Sequence, residues 1–318
     1  MKKIKKIAIY ATTIALVTAG STFHICRENI TEYENYITSY SESIVEDDFL
    51  ITAHRGFSSL EVENTKEAIS LASEKDYIDY IEIDARLTKD GKIILSHNNQ
   101  LLTMDFQIST VSSLSYEQLK QTLFCYQTFP LQHFSLWDVE SGMNFERKCH
   151  LYHQSYQLPS LLEGLSYCQD KKVLLDLKFN DDIPEFVEEL QRELDGVDTS
   201  HVIFQSLDIN GIRYLQEKTN YDCLALISNT TNLQYMDDFQ RVGIKYSLIN
   251  RSMVQELLDE GKMVALWTIN DTASLDRVVN ILGDSYQDVI YITDYPDLIA
   301  TKLNEREQVK SLKYVSNS

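Results

Sequence analysis

One repeated unit constrains the fold most: a short apolar run that ends in a polar or charged side chain and gives way to an amphipathic stretch. Such runs end near His54, Asp84, His97, Lys178, Ser206, Ile227, Ile249, Asn270 and Asp294. Helical patterns separate most of them, for example Thr65 to Lys75, Pro184 to Leu194 and Ser252 to Glu260. Strand–helix alternation of this kind predicts an α/β fold, a parallel (β/α)8 barrel of the TIM type. Nine strand candidates compete for eight places, so one strand is short or lies outside the ring. A barrel needs about 250 residues. The 318-residue chain holds one at 49–304, with an insertion at 98–158 over its mouth and a tail at 305–318.

Barrels present chemistry where strands end, and three of these endings cluster early. Successive strand residues face opposite sides, so Glu82 and Asp84 share one face. Two carboxylates held that closely repel unless a cation or a shared proton relieves them. Asp176, within Leu174-Leu175-Asp176-Leu177-Lys178, adds a third acid. Three converging carboxylates suit Mg²⁺ or Ca²⁺, whereas zinc is disfavoured by the lack of accompanying cysteines. His54 and His97 titrate near neutrality and are the candidate proton carriers. Arg55 and Lys178 offer a planar fork and a point charge for anionic oxygens. Taken singly, each of these residues has an ordinary structural explanation. Together they fit chemistry on a phosphodiester.

The motifs His54-Arg55-Gly56, Glu63-Asn64-Thr65, Asp79-Tyr80-Ile81-Glu82-Ile83-Asp84, Thr88-Lys89-Asp90-Gly91 and His97-Asn98 continue with Asp176-Leu177-Lys178, Gln205-Ser206-Leu207, Trp267-Thr268-Ile269-Asn270 and Ile292-Thr293-Asp294-Tyr295-Pro296. In this order, over about residues 50 to 303, the chain resembles the glycerophosphodiester phosphodiesterases. The resemblance implies His54 and His97 as the acid/base pair, Glu82, Asp84 and Asp176 as metal ligands, and Arg55 and Lys178 as phosphate-binding residues. It also implies attack by a substrate hydroxyl, giving a cyclic phosphate that water then opens. Three positions depart from the family pattern. Asn98 stands where an aspartate is usual, Asp176 is one methylene shorter than the usual glutamate, and Val62 replaces a proline. None removes a proton carrier. Trp267 either lines the substrate pocket or caps the barrel core.

With 48 acidic against 29 basic residues the chain carries a net charge of −19, which disfavours nucleic acid as an extended partner. An anionic substrate must therefore be drawn in by local charge. At the N-terminus, Lys2, Lys3, Lys5 and Lys6 precede Ile7 to Ile25, a stretch free of formal charge. It is about 19 residues long, enough to span a bilayer. Segment 1–26 thus reads as an uncleaved membrane anchor or a cleaved signal, with 27–48 as an acidic spacer and the catalytic part outside the cell. Among the five cysteines, Cys168 and Cys223 fall in apolar patterns and read as buried thiols, while Cys125 and Cys149 could pair. His133, His150 and His153 in the insertion read as surface residues. A lysophospholipid or glycerol-phosphate-polymer phosphodiesterase, and a catalytically weak headgroup-binding module, stay open beside the leading reading. Oligomeric state is not legible.

Overall fold

The computed structural model describes residues 49–105, 107–125 and 155–316. The expected anchor and spacer, and His133, Trp137, Cys149, His150 and His153 of the insertion, lie outside the described residues. No described helix is long and apolar enough to cross a membrane.

In chain order the strands are β1 (Leu50–Ala53), β2 (Tyr80–Leu87), β3 (Ile93–Leu95), β4 (Gln100–Thr103), β5 (Ile108–Thr110), β6 (Phe124–Cys125), β7 (Ser155–Tyr156), β8 (Lys172–Leu177), β9 (Val202–Ser206), β10 (Asp222–Ile227), β11 (Arg241–Lys245), β12 (Met263–Trp267) and β13 (Ile290–Thr293). The helices are α1 (Lys66–Ser73), α2 (Tyr116–Lys120), α3 (Leu161–Tyr167), α4 (Ile183–Glu193), α5 (Ile209–Lys218), α6 (Arg251–Asp259), α7 (Thr272–Leu282) and α8 (Pro296–Ser316). A 3₁₀ helix, Thr230–Asp238, links β10 to β11 in place of an α-helix. The last helix runs on through the stretch expected as a tail.

Eight strands form the ring β1-β2-β8-β9-β10-β11-β12-β13, all parallel, and the β1–β13 and β1–β2 pairings close it. The ninth candidate is β3, which pairs antiparallel with β2 outside the ring. Alternation along each strand divides the buried residues. Tyr80, Leu174, Ile203, Leu224, Leu226, Ala265, Ile290 and Ile292 fill the barrel interior. Their neighbours, such as Ile81, Ile83, Val173, Leu175 and Phe204, pack outward with helix residues including Ile69, Phe186, Leu190 and Ile212. Burial on both faces is why the strands read as continuous apolar runs.

Helix starts are fixed by side-chain caps on Thr65, Ser160, Asp182, Asp208, Asn250 and Asp271. Each accepts a backbone N–H that the first turn leaves unpaired. The described part of the insertion is a four-stranded sheet, β5-β4-β6-β7, over a small core of Leu101, Val111, Leu119, Phe124 and Leu158. Cys168 and Cys223 are buried free thiols, and Cys125 is a free, partly buried one.

The turn after β1 is the tightest constraint near the strand ends. Gly56 adopts φ +78°, and a Cβ there would lie 2.6 Å from the Ala68 carbonyl carbon and 2.8 Å from the Ile69 nitrogen. These are backbone atoms of α1 and cannot swing aside. Gly56→Ala is therefore expected to cost more than about 2 kcal/mol of stability. Thermal unfolding checks it, and a variant melting with the wild type would contradict the crowding.

Candidate active site

Glu82 and Asp84 follow Tyr80 along the inward face of β2, and both are buried. On β8 the parallel register sets Asp176 opposite Asp84. One carboxylate oxygen from each of Glu82, Asp84 and Asp176 lies within 4.8 Å of the others. The shorter side chain at position 176 thus still reaches the cluster, because strand register supplies the approach. A buried Asp176 oxygen, Oδ1, has no hydrogen-bond partner. Three hard oxygen donors with unused acceptor capacity fit a divalent metal ion.

The charges around them are closely interlocked. Lys178 Nζ lies 2.9 Å from Asp84 Oδ1 and 2.5 Å from Asp176 Oδ2. Arg55 donates to Glu63 at 2.9 Å, and its Nε lies 3.3 Å from Asp84 Oδ2. Burial works against an ionised Asp84, yet Lys178 and Arg55 hold its carboxyl well below the usual carboxylate range. Burial and the neighbouring Asp84 push Glu82 up to about 8. Burial also raises Asp176, with Asp84 adding to it and Lys178 opposing. Fully ionised, the three carboxylates carry more negative charge than the two cations neutralise, a condition that either a held proton or a divalent ion relieves.

Two imidazoles stand near this cluster, and Asp84 feels the charge of both. His54 directly follows β1. Its Nδ1 lies 2.6 Å from Asp294 Oδ1 and its Nε2 lies 3.9 Å from Glu82 Oε2. Burial and Arg55 lower its proton affinity, but Asp294 and Glu82 outweigh them and raise the pKa. His97 follows β3, with its carbonyl gripped by Arg86 at 2.9 and 2.6 Å. Its Nδ1 lies 3.2 Å from Asn98 Oδ1. Burial, Arg55 and Lys178 bring His97 down to about 4 against the pull of Asp84. The amide at position 98 supplies a polar contact without the charge that a carboxylate would add.

Several site residues had no role in the sequence reading. Asn64 donates to Asp84 Oδ2 and accepts from the Asp84 amide, each at 2.8 Å. It does so from φ 59°, beside Arg55 at φ 61°. Non-glycine residues in that region carry a backbone cost that clusters at functional sites. Asp294, the partner of His54, also accepts from Asn270 at 2.6 Å and Ser58 at 3.2 Å. Gln205 donates to Glu82 at 3.5 Å. Asp294 was findable, because it too ends an apolar strand. Trp267 is half-buried: its ring packs against the barrel-interior cluster and its N–H donates to the Gly243 carbonyl at 2.9 Å. Its ring adds to the packed interior beneath the mouth.

The solved phosphodiesterase of Oleispira antarctica in complex with sn-glycerol-3-phosphate superposes with a TM-score of 0.61 at 20% identity, covering 83% of this chain and 99% of that one. A lysophospholipase D of Mus musculus is 23% identical over 281 residues, 81% of this chain and 83% of its own length. A glycerophosphodiester phosphodiesterase of Bacillus subtilis is 24% identical over 274 residues, 79% of this chain and 85% of its own. Residues 54–298, from the first imidazole to the start of α8, match the glycerophosphoryl diester phosphodiesterase family. With the barrel, the buried carboxylate cluster and that match in agreement, the chain belongs to the glycerophosphoryl diester phosphodiesterase family and is a phosphoric diester hydrolase.

Proposed function

We propose that the enzyme hydrolyses small glycerophosphodiesters to glycerol phosphate and an alcohol. His54 and His97 move the protons, Glu82, Asp84 and Asp176 hold Mg²⁺ or Ca²⁺, and Arg55 and Lys178 steady the phosphate. The carrying observation is that two imidazoles whose proton affinities are shifted in opposite directions stand beside one buried carboxylate cluster. His97 is neutral at neutral pH and accepts the proton of the attacking substrate hydroxyl. His54, whose proton affinity Asp294 raises against burial, donates to the leaving alkoxide. The P–O bond to the alcohol breaks as the bond to the glycerol hydroxyl forms, and water opens the cyclic phosphate with the proton roles exchanged. A bound divalent ion supplies Lewis-acid charge to the phosphoryl oxygens. Holding the hydroxyl beside the phosphorus lowers the barrel's share of the work to positioning and proton transfer.

The test is release of glycerol phosphate from glycerophosphocholine with and without chelator. Release that survives full chelation removes the ion from the scheme. No release from any glycerophosphodiester favours a headgroup-binding module. Since the Mus musculus relative is named a lysophospholipase D, lysophosphatidylcholine is the second substrate to assay, and preferred turnover of it would move the reading to lipids.

In this scheme Asp294 is a positioning residue. Asp294→Asn keeps the shape but removes the charge that sustains the His54 proton. We expect kcat to fall roughly 10- to 100-fold, with the alkaline limb of the pH–rate profile moved to lower pH. A lower kcat with an unmoved limb would mean that Asp294 serves only the fold. We also place the catalytic domain outside the cell membrane, from the basic cluster at Lys2 to Lys6 and the uncharged Ile7 to Ile25. Protease added to intact cells should then digest it, and full protection would refute the placement.

A further inference from the structure

β9 turns an amide into the barrel where hydrocarbon would pack better. Ile203 belongs to the barrel interior, and period two brings Gln205 to the same face. Gln205 is 2% exposed. In the parallel register it lies opposite Asp176 on β8 and Leu224 on β10. The interior residues nearest it along these strands, Leu174, Ile203 and Leu224, are apolar, so packing alone gives no reason for a carboxamide. Its hydrogen-bonding capacity is also poorly used. Nε2 donates to Glu82 Oε1 at a long 3.5 Å, and Oε1 meets no donor among the described residues. A buried carbonyl oxygen without a donor is destabilising.

A second orphaned oxygen stands beside it. Asp176 Oδ1 is likewise buried without a hydrogen-bond partner. The two residues are in register on adjacent strands, whose backbones run about 4.8 Å apart. Lys178 is engaged elsewhere, by Asp84 Oδ1 and Asp176 Oδ2. Gln205 therefore neighbours Asp176 and touches Glu82, two of the three carboxylates whose oxygens converge within 4.8 Å. An ion shared by Asp176 and Glu82 comes within reach of the amide. The two ends of a carboxamide exchange by a half-turn about its last bond. A cation beside Glu82 thus draws the oxygen to where the N–H now points.

We propose that Gln205 is a fourth protein ligand of the ion, adding a neutral carboxamide oxygen to the three carboxylates. This rests on the metal-dependent reading above. Carbonyl oxygens of this kind are ordinary ligands of Ca²⁺, whereas Mg²⁺ keeps several waters and takes one or two carboxylates.

The test is titration calorimetry with Ca²⁺ and, separately, Mg²⁺ on the wild type, Gln205→Leu and Gln205→Glu. Gln205→Leu should weaken the tighter-bound ion at least about tenfold, with the larger loss for Ca²⁺. Gln205→Glu keeps an oxygen but lacks the N–H, so it should hold the ion at least as tightly as the wild type. Unchanged affinity in Gln205→Leu overturns the assignment. So does a Gln205→Glu variant weakened as much as Gln205→Leu, which would make the N–H on Glu82 the part that matters. Without ion, Gln205→Leu should melt no lower than the wild type, because it removes an unpaired buried acceptor at similar volume; this separates lost coordination from lost fold. A wild type that binds neither ion removes the metal from the scheme and the role of Gln205 with it. Ion binding is read without turnover, so the ligand assignment and the hydrolytic reading fail separately.

Discussion

Replacing His97 with alanine should lower kcat by about 10²–10⁴-fold, and His54→Ala should do the same, with neither variant unfolding. Neither ring holds the fold together. His97 is partly exposed and contacts Asn98, and loss of His54 leaves Asp294 bound to Asn270 and Ser58. The two variants should nonetheless differ in pH dependence, because their pKa values shift in opposite directions. A general base must be neutral, so wild-type activity falls as pH drops toward the His97 value of about 4. A general acid must be protonated, so activity falls as pH rises through the His54 value, which lies above that of a free imidazole. Residual activity of His97→Ala should lose the acid limb, and that of His54→Ala the alkaline limb. Full turnover in either variant, or two variants with the same remaining limb, would contradict the division of roles.

The parts of this site legible in the sequence are those set by a single strand. The strand period alone puts Glu82 and Asp84 on one face, whatever surrounds them. What depends on pairing between strands is not set by any one strand, so Asp176 joined Glu82 and Asp84 in the sequence as a third acid and through the family motifs, without a geometry. The approach of Asp176 to Asp84 comes from the β2–β8 register, and no local pattern encodes which residue of one strand meets which of another. The His54–Asp294 contact joins residues 240 positions apart and exists because ring closure sets β1 beside β13. The supernumerary strand was readable in principle. Thr88-Lys89-Asp90-Gly91 ends in an Asp-Gly pair, a hairpin signal, and Gly91 takes φ +76° there. That turn folds β3 back antiparallel on β2, which takes it out of a parallel ring. Its apolar run gave no warning, since Ile93, Ile94 and Leu95 are as buried as any barrel strand.

The carboxylate cluster leads to a measurement independent of turnover. Adding Mg²⁺ or Ca²⁺ should raise the melting temperature, because an ion bound only by the folded chain stabilises it by about 2.7 kcal/mol at a hundredfold excess over Kd. For a domain of this size that is roughly 5–10 °C. The sign of the pH dependence follows from Glu82. Its pKa stands near 8 in the fold, so between the ordinary carboxylate range and that value the folded chain holds a proton that the unfolded chain has released. Rising pH therefore destabilises the ion-free fold across this window. Bound ion takes the place of that proton, so the gain in melting temperature should grow as pH rises toward 8 and shrink as it falls. Asp176→Ala removes one ligand while leaving Lys178 paired with Asp84. It should need much more ion for the same shift, and activity should return in part at high ion concentration. An ion response that is absent, or that survives intact in Asp176→Ala, would mean that the three carboxylates crowd together for some purpose other than holding a metal.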